Sequence, residues 1–488
     1  MPKTRFVIVG AGFGGLEMAV ALKKAGMDDF VMLEKGRDVG GVWRDNSYPG
    51  CSCDVPSHLY SFSFAPYRGR DKRYPPQQDI LAYLRQVASD FGLLPHLRLN
   101  TAVTQAVFQE AEKRWQVTTA SSELFDTECV IFAVGQLHRP SFADIPGRQN
   151  FLGHILHPAR WNHGVDLRGK RIAIIGTGSS ATQMLPGLAS VAQAVTVYQR
   201  SPAWVLPKPS SDFGFLSRWA LRVPGAHYMY RKSLYYGADI LLAPVVRSEL
   251  LGRAAEKIGR HHLRRQVKDA SLRLKLSPPY PIGSKRILFD SDFYPALTRG
   301  NVSLITEPIA KITPTGIETT NGEHTPVDIV ICATGFKASE FLVPMSVFGR
   351  DGRSLNEEWA AGAEAFMGLA VHGYPNAFLI AGPNTFNPAG SNPAMKEVQV
   401  AYIMRCLHWK AETGASVIEI SQEAMAEYRK WLDKKMKQTI WPASVDSWYK
   451  HETGKITNPW PTSARSFARI LRGRPQDSFQ AVGSVLGK

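Results

Sequence analysis

A short apolar run, Phe6-Val7-Ile8-Val9, breaks into Gly10-x-Gly12-x-x-Gly15 and then into the amphipathic stretch of residues 16–24, which Gly26 closes. Strand, glycine turn and helix in immediate succession constrain the local fold more tightly than any other segment of the chain. The first glycine makes the tight turn, the second lets a pyrophosphate approach the backbone, and the third allows the helix to pack on the strand. A second strand, Phe30-Val31-Met32-Leu33, follows and ends on Glu34, about twenty residues beyond the glycines, where a carboxylate can accept hydrogen bonds from ribose hydroxyls. The helix N-terminus faces the phosphates.

The same device occurs twice. Lys170-Arg-Ile-Ala-Ile-Ile175 reads as a strand and runs into Gly176-Thr177-Gly178-Ser179-Ser180-Ala181, with a helical pattern from Thr182 behind it. The next strand, Ala194-Val-Thr-Val-Tyr198, ends in Gln199-Arg200-Ser201-Pro202, so arginine takes the place of the ribose-binding acid. A cation at that point suits a 2′-phosphate and selects NADPH over NADH. Two loops of this kind imply one flavin and one nicotinamide cofactor, and hence a flavin reductase or oxygenase. The expected fold is α/β, with two Rossmann-type dinucleotide-binding domains, one for FAD and one for NADP.

At 488 residues the chain has room for both. Cys129-Val-Ile-Phe-Ala-Val-Gly135 closes a strand, and Pro140 and Pro146 mark a linker, so residues 1–145 are expected to form the first part of the FAD domain. Residues 146–330 form the NADP domain, interrupted by a helical insert at about 212–276, where stretches at 215–222, 250–258 and 263–276 lack strand alternation. Strand character resumes at Val302-Ser-Leu-Ile305 and Val327-Asp-Ile-Val-Ile331, and residues 331–488 return to the FAD domain and add a C-terminal segment.

Lys and Arg total 58 against 42 Asp and Glu, a formal charge of +16, which favours anionic ligands. The five cysteines lack any Cys-x-x-Cys pair, which argues against a disulfide framework or a tetrahedral zinc site and suits a reducing cytoplasm, and no metal is expected. The N-terminal residues lack a signal-peptide pattern, and no window reaches the roughly 20 apolar residues of a spanning helix.

Between the loops lies Phe151-x-Gly153-x-x-x-His157-x-x-x-Trp161, and here the chain resembles the Baeyer-Villiger monooxygenases, the class B flavoprotein monooxygenases, with Asn162 where that fingerprint continues in Pro or Asp. Trp161 favours this family over the similar flavin-containing monooxygenases, which carry Phe or Tyr there. The resemblance extends over nearly the whole chain. Gly40-Gly41-Val42-Trp43 and residues 48–60 look like the family's flavin-lining segment, Gly135-Gln136-Leu137 like its flavin-contacting turn, and residues 280–286 like the strand entry that carries a Lys-Arg pair. Ala333-Thr-Gly335-Phe336, Gly373-Tyr-Pro-Asn376, Gly382-Pro-Asn-Thr385 and Ser447-Trp448-Tyr449 complete the set.

The resemblance implies that NADPH reduces FAD, that reduced FAD takes up O2, and that the resulting flavin C4a-peroxide attacks a ketone to give an ester or lactone. By match to the family, Arg286 supplies the fixed positive charge such an anion requires, and Asp54 pairs with it. The full cofactor-binding set is then Gly10, Gly12, Phe13, Gly14, Gly15, Glu34, Lys35, Gly41, Val42, Trp43, Asp54, Tyr60, Val103, Gln136, Gly176, Thr177, Gly178, Ser179, Ser180, Ala181, Arg200, Ser201, Lys285, Arg286 and Trp448. His157 and Trp161 are expected on an interdomain linker rather than in catalysis, His138 in a loop, and Cys51 and Cys53 as small packing residues.

Three other readings compete. A disulfide reductase of the same architecture would need a cysteine pair beside the flavin, and none is present. A monooxygenase acting on sulfur or nitrogen, or hydroxylating a long apolar chain, would use the same cofactors. A non-enzymatic nucleic-acid or membrane binder would exploit the basic residues of the insert, from Arg218 to Lys268, with aromatics such as Trp219 and Tyr228 between them. Such a surface can rest on an anionic membrane, although a solvated helical face explains it as simply; nucleic acid is not expected as a partner.

Overall fold

The computed structural model describes residues 3–210, 212–388 and 390–483. Met1, Pro2, Ser211, Ala389 and residues 484–488 lie outside it.

Two sheets organise the chain. The first has eight strands, in the order Ser346–Phe348, Val103–Gln109, Arg114–Thr119, Leu124–Phe132, Lys3–Val9, Phe30–Leu33 and Leu97–Arg98, with Ala377–Leu379 paired to Leu124–Phe132 off this path. Its centre is parallel: Phe6 faces Phe30 on one side and Cys129 on the other, a register that places the Gly10 turn at the carboxyl end of the sheet. Val103–Gln109, Arg114–Thr119 and Leu124–Phe132 form an antiparallel meander.

The second sheet is wholly parallel, in the order Val302–Ile305, Ala194–Tyr198, Arg171–Ile175, Ile329–Cys332 and His154–Leu156. Its central strands are buried along almost their whole length, which explains why they read as continuous apolar runs rather than alternating ones. Strand Ile329–Cys332 closes this sheet, so the chain crosses back to the first sheet only after Cys332, two residues past the boundary expected at 330.

The insert is helical but differently divided from the sequence reading. Phe215–Ala220, Ala226–Gly237, Glu249–Gln266 and Ala270–Lys275 are its main helices. Residues 250–258 and 263–266 belong to one 18-residue helix, capped by Ser248 Oγ, and the break falls at Val267 because Asp269 caps the next helix through the Ser271 amide at 2.9 Å. Ala226–Gly237 escaped the sequence reading because its aromatic and basic residues mask any apolar stripe. Among the described residues no helix is long and apolar enough to cross a membrane.

Returning to the first sheet, the 22-residue helix Asn392–Thr413 packs against the Phe13–Lys24 helix. Its fully buried Gln399 accepts from the Ala381 amide at 2.9 Å and donates to the carbonyls of Met367 and Gly368, so one amide satisfies three backbone groups of the loops above the sheet. Between the sheets, the Tyr48 hydroxyl donates to Gln183 Oε1 at 2.7 Å while Gln183 Nε2 donates to the Ser52 carbonyl at 2.9 Å. Gln183 lies on the helix behind the second glycine loop, so this contact ties the 48–52 segment to that helix.

Candidate functional site

The two glycine turns are near-copies in detail. Gly10 has φ of +102° and Gly176 of +108°, and a Cβ on either would press against a carbonyl across the turn, Ala133 O at 2.7 Å or Ala333 O at 2.6 Å. These carbonyls begin the matching segments Ala133-Val-Gly135 and Ala333-Thr-Gly335. At the third position the copies differ: a Cβ on Gly15 would lie 1.8 Å from Gly10 O, whereas Ala181 fits its place in the second loop with 1% exposure.

The middle glycines meet the requirement for a phosphate cradle. A Cβ on Gly178 would touch nothing within 4 Å, and one on Gly12 would have only ordinary contact, 3.7 Å from Gly41 Cα. No side chain caps the Phe13–Lys24 helix or the Ser179–Val191 helix, leaving the first-turn amides of each, including those of Phe13, Gly14, Ser179 and Ser180, for an anion. The backbone at both turns therefore fits a bound dinucleotide.

Around the first loop, Glu34 is buried and its carboxylate is already engaged. Oε2 accepts from the Ala11 amide at 2.8 Å, and Oε1 accepts from the Gly36 amide at 2.7 Å and from Arg44 at 2.8 Å. With about four lone-pair positions on a carboxylate, roughly one remains for a ribose hydroxyl. Lys35 follows on the exposed side, and Thr101, two residues before Val103, donates its amide to the Glu34 carbonyl at 2.8 Å. Gly41 and Val42 turn the chain back over Gly12 and bring in Trp43, whose indole N–H donates to the Tyr60 hydroxyl at 3.1 Å. Gln136 donates to the Ala381 carbonyl at 3.2 Å, while its Oε1 is buried without a partner, an open acceptor beside the Gly135 turn.

At the second loop the cations gather. Lys285 Nζ donates to Ser201 Oγ at 2.8 Å, and the Ser201 carbonyl accepts from Thr177 Oγ1 at 3.2 Å. Burial lowers the Lys285 pKa and the neighbouring Arg200 guanidinium lowers it further. Arg200 is exposed and forms no ion pair among the described residues. A half-buried lysine beside an exposed arginine suits a dianionic group.

The segments that carry Asp54 and Arg286 meet between the sheets. Arg286 Nη2 donates to both Asp54 oxygens at 2.8 Å, with side-chain exposures of 29% and 15%. Burial raises the Asp54 pKa, but the attraction and hydrogen bonds of Arg286 outweigh it and hold the carboxyl below the usual range; Asp54 in turn raises that of Arg286. The guanidinium lies 5.7 Å from the Phe386 ring centroid, and that ring makes an edge contact with Trp448 at 4.9 Å. The C-terminal segment pins the Arg286 strand entry: the Trp441 indole N–H donates to the Gly283 carbonyl at 3.0 Å. Phe386, Arg44 and Gln183 escaped the sequence reading because their roles come from contacts across the fold, not from motif spacing.

His157 is buried with both ring nitrogens engaged. Nδ1 accepts from the Ala159 amide at 3.1 Å, so Nε2 carries the proton and donates to the Gly335 carbonyl at 3.2 Å. It joins the linker to the Gly335 turn and has no nitrogen free for proton transfer. Trp161 packs partly buried against the core of the second sheet. His138 is half-buried, with a buried Nδ1 that has no partner. Cys51 and Cys53 are free buried thiols, and burial pushes the Cys51 thiol up to about 11.

Sequence and structure comparisons give concordant relatives. Residues 7–213 match the pyridine nucleotide-disulphide oxidoreductase family. A Baeyer-Villiger monooxygenase of Streptomyces coelicolor is 37% identical over 98% of this chain and 92% of its own length. An FAD-binding monooxygenase of Aspergillus niger is 37% identical over 94% of this chain and 78% of its own. Among solved structures, cyclohexanone monooxygenase from Rhodococcus sp. Phi1 bound to NADP+ superposes with a TM-score of 0.88 at 27% identity, covering 99% of this chain and all (100%) of that one.

Proposed function

This chain belongs to the Baeyer-Villiger monooxygenase family, and from that membership we propose that it holds FAD at the Gly10 loop and NADPH at the Gly176 loop and inserts one oxygen atom of O2 beside a ketone carbonyl. The balance is ketone, O2, NADPH and a proton giving ester or lactone, water and NADP+. When bound and reduced, FAD supplies the oxygen-activating chemistry.

The protein's own contribution is positioning and charge. Arg200 and Lys285 receive the 2′-phosphate, Thr177 and Ser201 fix the loop between them, and the amides opening the two glycine-loop helices receive the pyrophosphates. Arg286 presents a permanent cation where anionic charge develops during oxygen transfer, and Asp54 fixes its orientation. Phe386 and Trp448 shield it from solvent on one side. The observation that carries this reading is the Asp54–Arg286 pair, brought together from segments 232 residues apart. A cytoplasmic location belongs to the same reading, supported by five free, buried cysteines. Oxygenation of a ketone panel by the FAD-loaded enzyme with NADPH tests it; oxygen transfer to sulfides alone would overturn it.

A further inference from the structure

A cavity of about 820 Å³ lies apart from the two glycine loops, none of whose residues line it. It opens where the insert meets residues 58–70 and residues 465–472. That volume falls within the range of sites that take drug-sized ligands, and its lining is strongly one-signed. Arg68, Arg70, Arg222, Lys232, Arg469 and Arg472 line it and form no ion pair among the described residues. Two further lining arginines are neutralised: Arg231 lies 3.7 Å from Glu397, and Arg465 lies 2.7 Å from buried Asp239. Glu397 is the single acid in the wall. Six unpaired cations around one concavity repel each other and focus a positive field into it, which an anion relieves.

Val223, Tyr228 and Tyr235 also line the cavity, and the first two are exposed, so they offer an amphiphile apolar surface to cover. Tyr235 also lines a second, much smaller cavity of about 10 Å³, together with Leu59, Asn387 and Ser391. Asn387 adjoins Phe386, the ring beside Arg286, and the Leu59 carbonyl accepts from Ser391 at 3.0 Å. His58 and Ser63 line the cleft on the same 54–63 segment that carries Asp54, so this segment stands between the cleft and the Asp54–Arg286 pair. Arg231 fastens that wall to the insert through the carbonyls of His58 and Ser61, both at 2.8 Å.

We propose that this cleft is an outer subsite for the anionic end, carboxylate or phosphate, of an elongated ketone, lying across the 54–63 segment from the Asp54–Arg286 pair. The substrate class follows: an oxo acid or oxo-phosphate with an apolar spacer. This rests on the ketone-oxygenating reading for the carbonyl end, but the cleft's preference for an amphiphilic anion stands on its own charges and volume.

The test has a binding arm and a turnover arm. FAD-loaded enzyme is titrated calorimetrically with octanoate and with octan-1-ol, and separately sedimented with phosphatidylglycerol vesicles. Octanoate is expected to bind near one equivalent, octan-1-ol not at all, and the double variant Arg222→Glu with Arg469→Glu to weaken octanoate about tenfold or more. NADPH-driven flavin reduction stays at the wild-type rate in that variant. No octanoate binding, or binding indifferent to the two charges, overturns the subsite; vesicle sedimentation without octanoate binding does so in favour of a lipid headgroup as the anion. In turnover, 9-oxodecanoate is expected to show a lower KM than its methyl ester, a difference the variant abolishes with kcat unchanged. Charge-dependent octanoate binding with equal KM for the two compounds overturns the substrate assignment. Oxygenation of neither compound, nor of any ketone, overturns the reaction while leaving the binding result to decide the cleft.

Discussion

Both carboxylate oxygens of Asp54 lie 2.8 Å from a single guanidinium nitrogen of Arg286, joining positions 232 residues apart. The pair is partly exposed, so its contribution is smaller than that of a fully buried one. Replacement Asp54→Asn keeps the shape and removes the charge, and is expected to cost about 1–3 kcal/mol in urea unfolding. NADPH-driven flavin reduction should persist while oxygenation falls about tenfold or more. Unchanged oxygenation would remove Asp54 from positioning.

The pH dependence of that stabilisation has a fixed sign. The folded-state pKa of Asp54 is depressed below its ordinary value near 4, so the pair stabilises fully above that value and loses its effect as pH falls through the folded value. The stability difference between wild type and Asp54→Asn should therefore be constant near neutrality and shrink on descending below about pH 4, as followed by urea titrations at stepped pH.

Arg200 and Lys285 make a separable prediction. Arg200→Ala should reduce the preference for NADPH over NADH by roughly 10- to 100-fold in kcat/KM, chiefly by raising KM for NADPH, with the NADH value nearly unchanged. An equal loss for both cofactors would place Arg200 outside the 2′-phosphate site.

The glycine loops predict opposite outcomes for the same small change. Gly15→Ala forces a Cβ to 1.8 Å from Gly10 O and should destabilise the protein by about 1–3 kcal/mol and release FAD, read as lost yellow colour on gel filtration. Gly178→Ala meets no protein atom within 4 Å, so stability should hold within about 0.5 kcal/mol while KM for NADPH rises.

Much of this was legible in the sequence because each nucleotide device is local. Strand, glycines and helix sit within about twenty residues, and the Gly10 and Gly176 turns form where spacing puts them. Arg286 and Asp54 were reachable only through family motifs, since no periodicity links positions so far apart. The engaged state of Glu34, tied by Arg44 and the Ala11 amide, was hidden because its partners carry no motif signal. The insert resisted most: Ala226–Gly237 shows no clear apolar stripe, and its Lys232 gained meaning only when the fold set it around one cavity with Arg68 and Arg469.

The most direct test incubates FAD-loaded enzyme with NADPH, ¹⁸O2 and a panel of linear, cyclic and aryl ketones beside a sulfide control, with products read by mass. The account predicts an ester or lactone carrying one ¹⁸O for each NADPH consumed, and an Arg286→Ala variant that still oxidises NADPH, releases hydrogen peroxide and forms ester at least about a hundredfold more slowly. Labelled product from the sulfide alone, or wild-type ester formation by Arg286→Ala, would contradict it.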